Sequence, residues 1–228
     1  MFKISKIVIS SLLLAFLLTG CFNSDDSIVA SGTQPGQLPT NLDTIKQQII
    51  QYRDSGNWGR ELDAAGDSGV AMLRSAYNQN DTQAVVFDID ETVLDNYENL
   101  KADNFTVVKE SSIAWITSAK APAIHGTKKI YDEAVSKGIF VFFITGRAES
   151  LRAATVNNLN AAGYTKYEKL VMHETTGETA LVYKSAARAV VESAGYHIIL
   201  NVGDQDSDLL GGHSLYTLKL PNPMYILN

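Results

Sequence analysis

The sequence predicts an α/β fold: one parallel sheet with helices on both faces and a small insertion after the first strand. Three observations point there. Short, continuous apolar runs recur along the chain, the pattern of strands buried on both faces. Segments of helical periodicity separate those runs. A glycine stands between each later helical segment and the run after it, at Gly138, Gly163 and Gly195, where a helix end needs a left-handed residue.

The chain has 228 residues, 45% hydrophobic and 19% charged, enough for one sizeable domain with its own core. Its formal net charge is −6, and the balance becomes more negative once the segment carrying Lys3 and Lys6 is removed. Such a balance argues against nucleic acid or an anionic membrane surface as the main partner. The single cysteine rules out an intrachain disulfide and leaves no cysteine-based metal site.

In chain order, Lys3 and Lys6 precede the run Ile7–Leu18, which is apolar apart from Ser10 and Ser11. The run is short for a membrane span and has the length of a signal peptide's hydrophobic region. Leu18-Thr19-Gly20-Cys21 resembles the bacterial lipobox, so residues 1–20 read as a lipoprotein signal peptide and Cys21 as the lipid anchor to a membrane. An ordinary secretory signal cleaved nearby is the rival reading. Phe22 in place of Asp resembles the sorting pattern of a bacterial outer membrane lipoprotein facing the periplasm or cell surface. Residues 21–40, rich in Ser, Asp, Gly, Pro and Gln, read as a flexible tether, with the folded domain over 41–228.

Asn41 or Asp43 suits the cap of a first helix with Ile45, Ile49 and Ile50 on one face. A second helix spans about Trp58 to Tyr77, with Leu62, Val70 and Leu73 among its apolar positions. Ala84–Phe87 is the first strand, Ile139–Ile144 the second, Lys169–Met172 a weaker third and Tyr196–Val202 the fourth. A last run, Leu215–Leu220, precedes Pro221. The insertion lies at about 97–124 and contains Tyr97, Phe105 and Trp115.

Ligands of open parallel sheets bind at the carboxyl ends of the strands. Asp88-Ile89-Asp90-Glu91-Thr92 ends the first strand, Thr145-Gly146-Arg147 the second, and Gly203-Asp204-Gln205-Asp206-Ser207-Asp208 the fourth. Carboxylates, a hydroxyl and a cation therefore meet at one rim. Crowded carboxylates repel unless a hard cation sits among them, and Mg²⁺ suits an all-oxygen site. A phosphate beside that ion would be attacked by a carboxylate and held by positive charge and hydroxyl donors.

The motifs resemble those of haloacid dehalogenase phosphatases. Asp88, Asp90 and Thr92 match the first motif, Thr145 the second, Lys184 in Val182-Tyr183-Lys184-Ser185 the third, and Gly203, Asp204 and Asp208 the fourth. Asp90–Asn96, Gly203–Gly211 and Lys219-Leu220-Pro221-Asn222-Pro223-Met224-Tyr225 are similar to the branch holding plant acid phosphatases, vegetative storage proteins and bacterial outer-membrane acid phosphatases. The resemblance, which runs from about Asn41 to the C-terminus, implies a Rossmann-like fold with a cap. It also implies a phosphomonoesterase, with 5′-nucleotides as one candidate substrate class. Asp88 would be the nucleophile and Asp90 the general acid–base. Asp88, the Asp90 carbonyl, Asp204 and waters would hold Mg²⁺, with Asp208 either placing a metal-bound water or ligating directly. Thr145 and Lys184 would bind phosphate, and Arg147 would make either a further phosphate contact or a structural one. Asp206 is expected to be exposed; His125, at the return from the cap, is open to a substrate-pocket role that no pattern supports; and the cap aromatics are expected either to stack on the leaving group or to form the cap's core. A catalytically silent storage or binding protein on the same fold and a phosphotransferase stand as alternatives. No stretch specifies an oligomeric interface.

Overall fold

The computed structural model of the protein describes residues 40–174 and 177–227. The expected signal peptide, Cys21 and nearly all of the tether lie outside the described residues. Among the described residues no helix is long and apolar enough to cross a membrane.

Five parallel strands form one sheet in the order β3-β2-β1-β4-β5: β1 Gln83–Phe87, β2 Phe140–Ala148, β3 Lys169–His173, β4 His197–Gly203 and β5 Tyr216–Lys219. Alternate residues of a strand face opposite ways, and the core divides accordingly. Val85, Phe87, Val141 and Phe143 join a large apolar layer with Leu62, Leu73, Ile130 and Leu159. Ala84, Val86, Phe142 and Ile144 pack on the other face with Val191 and Ile198. The first layer is covered by α2 (Asn57–Ala76), α5 (His125–Ser136) and α6 (Arg152–Ala161), the second by α7 (Ala180–Ser193). The expected α/β architecture is observed, with both faces covered.

Local chemistry accounts for the element ends. Asn41, not Asp43, caps α1 (Leu42–Asp54): its Oδ1 accepts from the backbone N–H groups of Asp43 and Thr44 at 2.9 and 3.3 Å. Gly138, Gly163 and Gly195 all take positive φ, +72°, +83° and +92°, reversing the chain into β2, toward β3, and into β4. Where α2 crosses α5 the two backbones nearly touch. A Cβ on Gly126 would lie 2.0 Å from the Leu62 carbonyl oxygen, and one on Gly66 2.3 Å from that of Gly126.

The insertion is helical, with α3 over Tyr97–Ala102 and α4 over Lys109–Ser118. Its two ends lie side by side: Asp95 N–H donates to Pro122 O at 2.9 Å and Ile124 N–H to Val93 O at 3.0 Å. Tyr97 and Leu100 pack with Ile49 and Met224, and Phe105 leans on that cluster. Arg53 lies between aromatic faces, 3.4 Å from the Trp58 ring centre and 4.1 Å from that of Tyr97, and pairs with Asp95 at 2.5 Å. Tyr97 and Phe105 thus pack within the cap cluster, whereas Trp115 packs against the main core.

Candidate active site

Strand register places the acidic segments together. Phe87 pairs with Phe143 on β2 and with Val202 on β4, so Asp88, Thr145 and Asp204 follow at the same rim. Asp88 is fixed there by its N–H, which donates to Val202 O at 3.0 Å. The chain then coils tightly, with the N–H groups of Val93 and Leu94 both donating to Ile89 O at 2.9 and 3.0 Å. Glu91, at φ +56°, takes the left-handed conformation that costs a non-glycine residue energy.

A cavity of about 250 Å³ opens on this rim. Among the described residues, Asp88, Asp90, Glu91, Asp204 and Asp208 line it together with two cations, Arg147 and Lys184. Lys184, from the first turn and a half of α7, bridges Asp88 Oδ1 and Asp208 Oδ1 at 2.5 Å each. Burial works against its charge, but the two carboxylates outweigh burial and hold its ammonium above the ordinary range. Burial pushes Asp88 well above the ordinary carboxylate range. Lys184 opposes that rise, while Asp208, Asp204 and Asp90 add to it. Asp204 is raised by burial and by Asp208. Burial also pushes Asp90 up, but the Arg147 charge and the hydrogen bonds from Arg147 and Asn96 prevail and hold it low.

Asp88, Asp204 and Asp208 each present an oxygen within 4.8 Å of the others. The donors are all hard oxygens, buried, with more negative than positive charge around them. That chemistry fits a small divalent cation. Asp204 is also oriented as a ligand should be: Oδ1 accepts from Thr92 Oγ1 at 3.1 Å, and Oδ2 from Asn222 Nδ2 at 2.7 Å and from Gln205. Gly203 is obligatory at this turn, because a Cβ there would lie 2.3 Å from the Asp208 Cβ.

The sequence-based expectations are met unevenly. Asp88, Asp90, Lys184, Asp204 and Asp208 come together as expected. Thr145 is fully buried, its hydroxyl accepting the Arg147 N–H at 3.2 Å, and Gly146 and Arg147 rather than Thr145 line the cavity. Arg147 is revised toward its structural alternative. Nε and Nη2 hold Asp90 at 3.1 and 2.7 Å and Nη1 donates to Thr155 at 3.2 Å, which engages three of its five N–H donors inside the protein while the side chain lines the cavity. Asp206 is exposed and pairs with Lys219 at 2.6 Å. His125 is exposed on α5, its Nδ1 2.6 Å from Asp63, and does not line the cavity.

Sequence reasoning missed the residues that support the first set. Glu91 is buried, accepting from the Asn96 N–H at 2.9 Å and from the Tyr225 hydroxyl. Leu227 N–H donates to Gln205 Oε1 at 2.9 Å, and Trp58 Nε1 to Pro221 O at 3.3 Å. The C-terminal Pro-Asn-Pro-Met-Tyr segment is therefore a strap that ties the first motif to the fourth. Its resemblance to a family signature was the available signal; its partners were not visible from sequence.

Comparison with known proteins adds to this geometry. A family model described as HAD superfamily, subfamily IIIB (acid phosphatase), matches residues 25–228. The chain is 34% identical over 186 residues to acid phosphatase 1 of Solanum lycopersicum, covering 78% of this chain and 73% of that protein. It is 41% identical over 150 residues to the stem 28 kDa glycoprotein of Glycine max, covering 62% of this chain and 59% of that protein. Its fold is similar to that of the class C acid phosphatase from Bacillus anthracis, with a TM-score of 0.69 at 23% identity over 81% of this chain and 86% of that one.

Proposed function

The chain belongs to subfamily IIIB of the haloacid dehalogenase (HAD) superfamily, the acid phosphatases, and on that premise we propose that it is an exported, Mg²⁺-dependent phosphomonoesterase acting through an aspartyl-phosphate. The observation that carries the reading is Asp88: a buried carboxylate at the end of β1, held at 2.5 Å by Lys184 in a group with Asp204 and Asp208.

In this reading Asp88 attacks phosphorus. The new bond forms between its carboxylate oxygen and phosphorus as the bond to the leaving oxygen breaks, and Asp90 delivers a proton to that oxygen. Asp90 then takes a proton from water as the water attacks the aspartyl-phosphate, which releases phosphate and restores Asp88. Lys184 balances charge on Asp88 and on the phosphate; a phosphate contact from the buried Thr145 hydroxyl rests on the motif resemblance alone, since Gly146 and Arg147 line the cavity there. Arg147 holds Asp90 instead of the substrate. Asp88, the Asp90 carbonyl, Asp204 and Asp208 would hold Mg²⁺, which when bound supplies neutralising charge for the phosphoryl oxygens.

The substrate class is phosphomonoesters, with nucleoside monophosphates as candidates. The cavity wall supports a leaving group with an apolar face, because Leu100, Val107, Trp115, Ile116 and Leu227 line it. Export, and attachment to the outer membrane by a lipid on Cys21, rest on the N-terminal sequence alone.

The test is phosphate release from p-nitrophenyl phosphate by residues 41–228, with Mg²⁺, with EDTA and in Asp88→Asn. Turnover that requires the metal and disappears in the variant is expected. A folded protein inert under every condition would instead favour a silent storage or binding role on the same fold.

A further inference from the structure

A chain of hydrogen bonds links the cap to the proposed general acid. Trp115, on α4, donates from Nε1 to Asn96 Oδ1 at 2.9 Å. Asn96 donates from Nδ2 to Asp90 Oδ1 at 2.9 Å. The indole N–H can only donate, so it selects the amide orientation in which oxygen faces Trp115 and Nδ2 faces Asp90. The Asn96 backbone is fixed as well, its N–H donating to the buried Glu91. Asn96 is buried, whereas Trp115 is half-buried and lines the cavity along with the carboxylates.

The two oxygens of Asp90 are consequently unlike. Oδ1 accepts from Asn96 Nδ2 and from Arg147 Nη2 at 2.7 Å, with Arg147 Nε a further 3.2 Å contact. Among the described residues, Oδ2 accepts from Arg147 Nε alone, at 3.1 Å. Donors that cannot accept occupy Oδ1, which leaves Oδ2 as the oxygen able to carry a proton to a leaving group.

We infer that Asn96 and Trp115 are positioning residues for the general acid: Trp115 sets the Asn96 amide, and Asn96 turns Asp90 so that Oδ2 serves the leaving oxygen. The inference rests on the reading of Asp90 given above and extends it to the cap. The residue that walls the leaving-group cavity also orients the group that protonates the leaving oxygen. The proton passes from Asp90 Oδ2 to the departing oxygen as its bond to phosphorus breaks, and no other reactant enters the step.

Leaving-group dependence tests this directly. A nitrophenolate departs without a proton, whereas an alkoxide needs one, so loss of a positioned acid falls on alkyl phosphates. Turnover of p-nitrophenyl phosphate and of glycerol phosphate is compared in wild type, Asp90→Asn, Asn96→Ala and Trp115→Phe, the last retaining an aromatic wall but no N–H. Vanadate affinity and thermal melting report folding and the phosphate site. Asn96→Ala is expected to lower kcat on glycerol phosphate by about tenfold or more, part of the about 10²–10⁴ that a general acid supplies, and to change p-nitrophenyl phosphate turnover only a few-fold. Trp115→Phe shows the same bias, more weakly. If Asp90→Asn is selective but Asn96→Ala and Trp115→Phe slow both esters equally, or alter KM alone, the inference is overturned and the Asp90 reading survives. Equal losses in Asp90→Asn overturn both. Should Asn96→Ala fail to fold, the half-buried Trp115→Phe decides alone.

Discussion

Replacing Lys184 by methionine isolates the electrostatics of the site. The side chain keeps its length and loses its charge. Nζ lies 2.5 Å from both Asp88 Oδ1 and Asp208 Oδ1, and all three residues are buried. Removing one partner of a buried ion pair leaves charge that neither solvent nor protein compensates, at a cost of about 3–5 kcal/mol. Two carboxylates lose their partner here, which places Lys184→Met toward the upper end. Each kcal/mol lowers Tm by about 2–4 °C in a domain of this size, so a fall of about 10–20 °C is expected in EDTA. Mg²⁺ should narrow the gap, because a cation bound among Asp88, Asp204 and Asp208 restores part of the missing charge and stabilises only the folded state. Thermal unfolding followed by circular dichroism, in EDTA and across a Mg²⁺ titration, provides the measurement. Equal melting of variant and wild type in EDTA would refute the argument that Lys184 is the charge holding these carboxylates together.

The other expectations concern neighbouring parts of the same structure. Asp88→Asn should abolish turnover yet melt in EDTA no lower than wild type, because it removes a carboxylate raised by burial and by three like charges while Lys184 keeps Asp208. With its native pKa above the unfolded value, Asp88 binds its proton more tightly when folded. Its contribution to wild-type stability therefore falls as pH rises above the ordinary carboxylate range, and the advantage of Asp88→Asn should widen from acidic to neutral pH; a gap that narrows would contradict the assignment. Asn222→Ala removes the 2.7 Å donor to Asp204 and should weaken Mg²⁺ binding about 10–100-fold, as isothermal titration would show, with little change in melting in EDTA. Gly126→Ala forces a Cβ against the Leu62 carbonyl oxygen and should cost at least about 1–3 kcal/mol in urea unfolding, while turnover per folded molecule stays near wild type.

Much of the fold was legible because its signals are local. Buried parallel strands require unbroken apolar runs, and each of the five expected runs became a strand within a residue or a few at either end. Gly138, Gly163 and Gly195 marked chain reversals because few residues tolerate positive φ. The acidic segments at the ends of β1 and β4, with Thr145-Gly146-Arg147 at the end of β2, could be read as one rim because a parallel sheet carries its ligands at one edge, whereas Lys184 was found only through resemblance to the family's third motif.

The partners of those residues depended on contacts that leave no periodic trace. The sequence left Arg147 open to a phosphate or a structural contact, and its place beside Asp90 and Thr155 is set by how β2 and α6 pack. Tyr97, Phe105 and Trp115 are alike as sequence, yet two pack within the cap cluster while Trp115 packs on the main core and also reaches Asn96, because only packing decides which face of a short helix is covered. Asn222 lies 18 residues from Asp204, and Tyr225 134 from Glu91. Strand burial, backbone conformation and charge made the parallel sheet, the family of motifs and the carboxylate rim legible along the chain. The tertiary structure alone decided which donor serves which carboxylate oxygen, since a hydrogen bond depends on positions a few tenths of an ångström apart that no local pattern encodes.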